Sequence, residues 1–164
     1  MIKRILYATD LGLYGPYVMK QVAILAQSTG ASVDILHVVE PMGVFAESII
    51  NTYMPEKERE YLRKKGMSQV IERIRLQVVD TLQSDYVDYL EVINLNEVIV
   101  ELGSPVEVIL EQSKLRGSDI IVMGSHGQHS YRGGLMGSVI TSVLQLSSTP
   151  VYMIPMVSVS NLNY

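Results

Sequence analysis

Asp119-Ile120-Ile121-Val122-Met123-Gly124-Ser125-His126-Gly127 is an apolar run that stops in a glycine-bearing turn, and Gly137-Ser138 follows after nine intervening residues. The run has no polar alternation, so it reads as a strand covered on both faces. The apolar stretch after Ser138 reads as a helix whose N-terminus faces the same turn. First-turn N–H groups find no acceptor inside a helix, and the aligned peptide dipoles place partial positive charge there. Such a terminus favours an anion. Glycines at these spacings let backbone amides approach a bulky ligand closely. The pattern is neither a Walker A loop, which needs Lys-Ser/Thr after its second glycine, nor G-x-G-x-x-G. A phosphate bound here would be held by backbone amides, with no P-loop lysine to stabilise phosphoryl transfer.

Outward from that unit, short apolar runs alternate with helical patterns. Residues 2–9 predict a first strand, bounded by the turn-prone Asp10-Leu11-Gly12. Tyr14, Val18, Val22, Leu25 and Ala26 then repeat at helical spacing, and Gly30 closes that helix. Residues 31–39 predict a second strand ending in Leu36-His37-Val38-Val39. The long connection over 40–85 reads as a short helix before Pro55 and a longer one after it. Glu56, Glu58 and Glu60 suit the start of the longer helix, Ile71, Ile74, Val78 and Leu82 form its buried face, and Gly66 lies inside it, a weak point for one unbroken rod. A third strand lies within 90–102, where Asn94, Asn96 and Glu97 mark an edge strand.

Gly103-Ser104-Pro105 opens the next helix, with Ser104 as N-cap and Pro105 in the first helical position. Val106, Ile109 and Leu110 face inward and Gly117 closes it. A fourth strand over 118–123, a helix from Gly137-Ser138 to Leu146 and a fifth strand over 150–156 complete the chain. The alternation predicts an open, mostly parallel five-stranded α/β sheet with right-handed crossovers and helices on both faces. Ligands of such sheets sit beyond the carboxyl ends of the strands, where strand order reverses. Asp10 ends the first strand and Gly124 the fourth, so adjacency of these strands would open both onto one crevice.

The 164 residues fit one domain over 1–156 with a polar tail over 157–164. A net charge of -4 without a basic stripe argues against nucleic acid. With no cysteine, the chain has no disulfide, thiolate metal site or cysteine nucleophile. Ile5 to Ala8 is too short for a signal-peptide core, and no stretch approaches the roughly eighteen apolar residues of a membrane span. A soluble, cytoplasmic protein is expected, with no membrane insertion.

The residues resemble the universal stress protein family, whose fingerprint G-x2-G-x9-G-[ST] is matched by Gly124, Gly127, Gly137 and Ser138. Ile5-Leu6-Tyr7-Ala8-Thr9-Asp10, Leu36-His37-Val38-Val39, Gly103-Ser104-Pro105 and the stretch from Asp119 to Gly127 extend the likeness. They occur in family order. The resemblance covers most of the chain except 40–89. It implies a sheet order of 3-2-1-4-5, a Rossmann-like nucleotide-binding domain, and a homodimer through the last strand around Val151 to Met156. It also implies ATP or another adenine nucleotide, possibly with magnesium held largely by phosphate and water. By the same resemblance, Asp10 contacts the adenosine portion, the Val38 backbone pairs with the adenine edge, and Gly103 lies beside the nucleoside. Gly124, Ser125, Gly127, Gly137 and Ser138 lie about the ribose and phosphates. The chain departs from the family at Leu11-Gly12, where many members have Ser, and at Gln128, often Lys or Arg. Arg132 in the same loop is a candidate for the missing positive charge.

Each feature also has a plainer reading. Asp10 can cap the turn that follows it, and Gly103-Ser104-Pro105 starts a helix whatever binds. His37 reads as a strand-end histidine bonded to backbone. His126 and His129 lack nearby acids for a metal site built by the protein. Ser125, His126 and Asp10 can be drawn as a hydrolase triad, but the turn is not G-x-S-x-G and adjacent side chains rarely face each other. A phospho-receiver needs an Asp at the end of its third strand, where this chain has Gly103. The expected function is nucleotide-dependent sensing or regulation with an unknown protein partner. The alternatives are slow ATP hydrolysis or autophosphorylation, and a dimeric scaffold without nucleotide.

Overall fold

The computed structural model describes residues 1–41, 43–61, 66–126 and 136–155. In chain order the elements are β1 (Arg4–Ala8), α1 (Gly15–Thr29), β2 (Ser32–Val39), α2 (Val44–Tyr53), α3 (Glu56–Tyr61), α4 (Met67–Asp85), α5 (Val87–Leu90), β3 (Asn94–Leu102), α6 (Pro105–Arg116), β4 (Ile120–Gly124), α7 (Ser138–Leu146) and β5 (Val151–Ile154). The five strands form one parallel sheet in the order β3-β2-β1-β4-β5. Both the expected alternation and the expected order are present. β3 stands at an edge, as its polar residues predicted.

Successive side chains of a strand point to opposite faces, so each strand feeds two cores. Ile5, Tyr7, Val33, Ile35 and Val122 pack against Val18, Met19 and Val22 of α1 and against Val78 and Leu82 of α4. Leu6, Leu36, Ile121 and Met123 pack on the other face against Val108 and Ile109 of α6 and Ile140 and Val143 of α7. Ile5, Leu6, Ile35, Leu36 and Ile121 have no exposed surface. Each such side chain contributes about 1.5–3 kcal/mol through the area it removes from water.

The helices end where their sequence provides for it. Gly30 and Gly117 adopt left-handed backbone, with φ of 68° and 61°. The Gly30 amide donates to the Ala26 carbonyl at 2.8 Å, and that of Ser118 donates to the Ser113 carbonyl at 2.9 Å. Ser104 occupies the expected N-cap position, yet its side chain makes no capping bond. The carbonyl of Ser104 accepts the Val108 amide instead, at 3.0 Å.

The connection after Pro55, the face of α6 and the polar residues of β3 add detail to the periodicity. The helix expected after Pro55 is described as α3 up to Tyr61 and as α4 from Met67 onward, and residues 62–65 lie outside the described residues. In α6, Ile109 is buried and Val106 and Leu110 pack half-buried against the same core, as expected, with Val108 buried beside them. The polar interruption of β3 also has a structural cause beyond its edge position. Asp34 of β2 is buried and accepts a 2.7 Å hydrogen bond from Asn96 Nδ2. The β2–β3 register slips by one residue here, from Val33 opposite Leu95 to Asp34 opposite Glu97, so Asn96 is the extra residue. Arg116 completes the group, 3.5 Å from Asp34 and 2.7 Å from Glu97, and its Nε donates to Gln112. Unpaired, a buried carboxylate would be costly; here it is paired and hydrogen-bonded.

At the amino ends of the strands, the Asp119 carboxylate accepts the amides of Lys3 at 2.7 Å and Arg4 at 3.0 Å. These bonds, the Lys3 amide first, hold its carboxyl below the usual range. A depressed carboxyl contributes stability above its unfolded pKa and loses it as pH falls through the folded value. Urea midpoints of wild type and Asp119→Asn should therefore differ near pH 7 and converge below about pH 4; curves that stay parallel would contradict this origin. Gly15 makes a second prediction, because a Cβ there would land on the hydroxyl of buried Tyr86. Gly15→Ala should cost about 1–3 kcal/mol in chemical denaturation. Adding Tyr86→Phe should recover part of that loss, and equal loss with and without it would refute the contact.

Candidate functional site

β1 and β4 lie side by side, with Ile5 opposite Ile120 and Tyr7 opposite Val122. Beyond their carboxyl ends the chain leaves β1 towards α1 and leaves β4 towards α7. The two exits frame a cavity of about 470 Å³, which falls within the usual range for small-molecule sites. Asp10, Val38, Gly124, Gly137 and Ser138 all line it. These residues come from four separate parts of the sequence.

The β1–α1 turn is built by side chains that take backbone amides. Thr9 Oγ1 accepts the Leu11 amide at 3.0 Å, and Asp10 Oδ1 accepts that of Gly12 at 2.9 Å. Leu11 sits at φ 56°, a conformation costly for a branched residue, and it packs on the core. Asp10 therefore caps its turn and lines the cavity as well. The plain reading of this residue holds, and it leaves Asp10 in the cavity wall.

One wall is the end of β2. The Thr9 amide donates to the Leu36 carbonyl at 2.9 Å, which is the last rung between β1 and β2. His37 Nδ1 lies 3.0 Å from the Thr9 carbonyl. This matches the expected strand-end histidine bonded to backbone. Alternate residues of a strand direct their peptide groups to opposite neighbours. Val39 serves β3, its carbonyl accepting the Gly103 amide at 3.0 Å, so Val38 faces the side that β1 has vacated. Pro105 and Ile109 of α6 add apolar surface.

The opposite end is the start of α7. Ser138, Val139 and Ile140 line the cavity, and the first bond inside the helix runs from the Thr141 amide to the Gly137 carbonyl. The amides of those three residues therefore have no acceptor within the helix. The Gly137 amide donates to the Ser125 carbonyl at 2.9 Å, which fixes the helix start against the exit of β4. An anion set here would meet several N–H groups and the positive end of the dipole.

Two candidates lie behind the lining. Gly103 bonds to Val39, and a Cβ on it would come 2.8 Å from Val108 Cγ2, so close packing accounts for the glycine. Ser125 is 5% exposed, and its amide donates to the Ile154 carbonyl. Its Oγ lies 2.8 Å from His126 Nδ1. The expectation that these neighbours point apart is thus incorrect. β4 ends at Gly124, so strand alternation no longer governs them. His126 itself lines the cavity, as does Glu40. His126 belongs to the glycine block, while no motif in the sequence marks Glu40. Gly127, Gln128, His129 and Arg132 lie outside the described residues.

Tyr7 forms part of the cavity lining. Burial pushes its phenol far above the ordinary tyrosine value, so it stays neutral. Burial likewise pushes Tyr86 up to about 12. Among the described residues no cluster of three or more His, Asp or Glu side chains is arranged to hold a metal ion. Nor is any helix among them long and apolar enough to cross a membrane.

Comparison with known proteins bears on the family and the fold. Residues 1–155 match the universal stress protein family. Universal stress protein MJ0577 of Methanocaldococcus jannaschii is 27% identical over 162 residues, covering 94% of this chain and 95% of the relative. Universal stress protein YxiE of Bacillus subtilis is 27% identical over 160 residues, covering 94% and 99%. The solved structure of MJ0577 superimposes with a TM-score of 0.69 at 26% identity, covering 96% of this chain and 99% of that one. A universal stress protein solved in complex with cAMP shares the fold, with a TM-score of 0.57 at 16% identity over 94% of this chain and 97% of that one.

Proposed function

The chain belongs to the universal stress protein family, and we propose that it binds an adenine nucleotide and acts as a nucleotide-dependent sensor or regulator. The observation that carries this reading is the polarity of one cavity. Its lining runs from the peptide edge of Val38 to the unpaired first-turn amides of α7. The first suits the hydrogen-bonding edge of a base, the second a phosphate. Leu36, Val38 and Ile109 supply apolar surface for a flat ring between them. A protein of the same fold in complex with cAMP, itself an adenine nucleotide, is consistent with this use.

In this reading Asp10 accepts hydrogen bonds from ribose hydroxyls, and Gly124, Gly137 and Ser138 bound the phosphates. Gly103 and Ser125 support the site from behind. Gly127, Gln128 and Arg132, outside the described residues, are proposed as phosphate contacts on the family resemblance alone. Magnesium, where present, arrives with the nucleotide, its charge offset mainly by phosphate oxygens.

Binding is favoured over turnover. Catalysed phosphoryl transfer needs cations on the transferred group and a residue that orients the nucleophile. Ser125 is buried behind the lining and its hydroxyl is engaged by His126. The assembly we propose is a cytoplasmic homodimer through β5, which terminates the sheet and exposes Tyr152.

The test is to release and identify whatever co-purifies with the protein, then titrate ATP and AMP calorimetrically into wild type and Gly124→Val. The valine would intrude on the phosphate end of the cavity, so at least a tenfold loss of ATP affinity is expected. An adenine nucleotide in the released fraction supports the reading. No bound nucleotide together with no heat from either ligand would leave the scaffold alternative standing. Steady-state phosphate release from ATP that Gly124→Val abolishes would favour the enzyme.

A further inference from the structure

We propose that His37 is a positioning residue: its imidazole takes the Thr9 carbonyl and leaves the Val38 peptide edge available to select the base of the ligand. This rests on the adenine-nucleotide reading above and assigns a cause to its base selectivity.

The β1–β2 ladder shows why a device is needed. Ala8 stands opposite Leu36, and the Thr9 amide donates to the Leu36 carbonyl at 2.9 Å. A parallel ladder advances two residues per rung on each strand. Its next rung would carry the Val38 amide onto the Thr9 carbonyl. That carbonyl instead lies 3.0 Å from His37 Nδ1. A carbonyl oxygen only accepts, so Nδ1 carries the proton and donates. A side chain thus stands in for the backbone rung. The Thr9 carbonyl keeps a partner, and the pairing of β1 with β2 stops one rung before it would consume Val38.

The surroundings hold this arrangement in place. The Thr9 hydroxyl and the Asp10 carboxylate fix the turn by accepting the Leu11 and Gly12 amides. On the other side of β2, the Val39 carbonyl accepts the Gly103 amide. Val38 and His37 both line the cavity. Val38 therefore presents an N–H donor beside a C=O acceptor. Adenine offers the complement, an acceptor at N1 beside the donor 6-amino group. Hypoxanthine reverses both, with a hydrogen on N1 and an oxygen at C6.

The test compares ATP with inosine triphosphate, which differ only at that edge, on wild type, His37→Leu and His37→Asn. Wild type should favour ATP by about tenfold, the scale of one well-placed pair of hydrogen bonds. His37→Asn keeps a short amide donor near the Nδ1 position and should retain most of this preference. His37→Leu should bring the ratio close to one. Loss of general stability would weaken both ligands together and leave the ratio intact, so the ratio separates positioning from folding. Hydrogen exchange gives a readout without ligand: the Val38 amide should exchange at least tenfold more slowly in His37→Leu, where the Thr9 carbonyl becomes available to it. An unchanged ATP preference with unchanged Val38 exchange in His37→Leu overturns the role of His37 alone. Failure of wild type to bind either nucleotide overturns the adenine-nucleotide reading on which base selection rests.

Discussion

The parallel pairing of β1 with β4 is the constraint on which the remaining structure depends. It joins the two halves of the sheet, so β1 connects outward to β2 while β4 connects outward to β5. Crossovers with the same hand must then leave the shared line in opposite directions. Among the described residues no chain crosses the carboxyl ends of β1 and β4, and the cavity lies there. Apolar packing on both faces keeps the pair in register: Ile5 and Val122 lie in one core, Leu6 and Ile121 in the other. At the opposite end, the Asp119 carboxylate binds the amides of Lys3 and Arg4 and fixes where β4 starts relative to β1.

The cavity inherits its chemistry from how each strand stops. β1 ends in side chains that cap backbone, β2 runs on past its neighbour, and β4 gives way to the start of α7. Backbone groups that a continued ladder or helix would have used face the same space. The site is therefore made largely of peptide edges, with few charged side chains among the described residues. On the proposed reading, those peptide edges are what a nucleotide would meet.

Much of this was legible in the sequence, for physical reasons. Apolar runs such as Ile120-Ile121-Val122 mark strands covered on both faces, and Gly30 and Gly117 mark helix ends that require left-handed backbone. Asn94, Asn96 and Glu97 identified the edge strand. Long-range polar pairing was not legible. Asp34 looks like an exposed strand residue until Asn96, sixty-two positions away, and Arg116, eighty-two away, are seen to meet it. The contact of Gly15 with Tyr86 is equally non-local, and periodicity does not reveal it. Within the site, Asp10, Val38, Gly124, Gly137 and Ser138 were found because they belong to short ordered motifs. Glu40 belongs to none, and the separation of Ser125 from the cavity depends on where β4 ends.

Backbone amide shifts during a titration with ATP test the central claim most directly, since the site is claimed to bind through peptide groups. Val38, Gly137, Ser138 and Val139 should shift together and saturate at one equivalent, while the distant amides of Lys3 and Asp119 stay in place. Saturating ATP that leaves those four amides unmoved would contradict that claim.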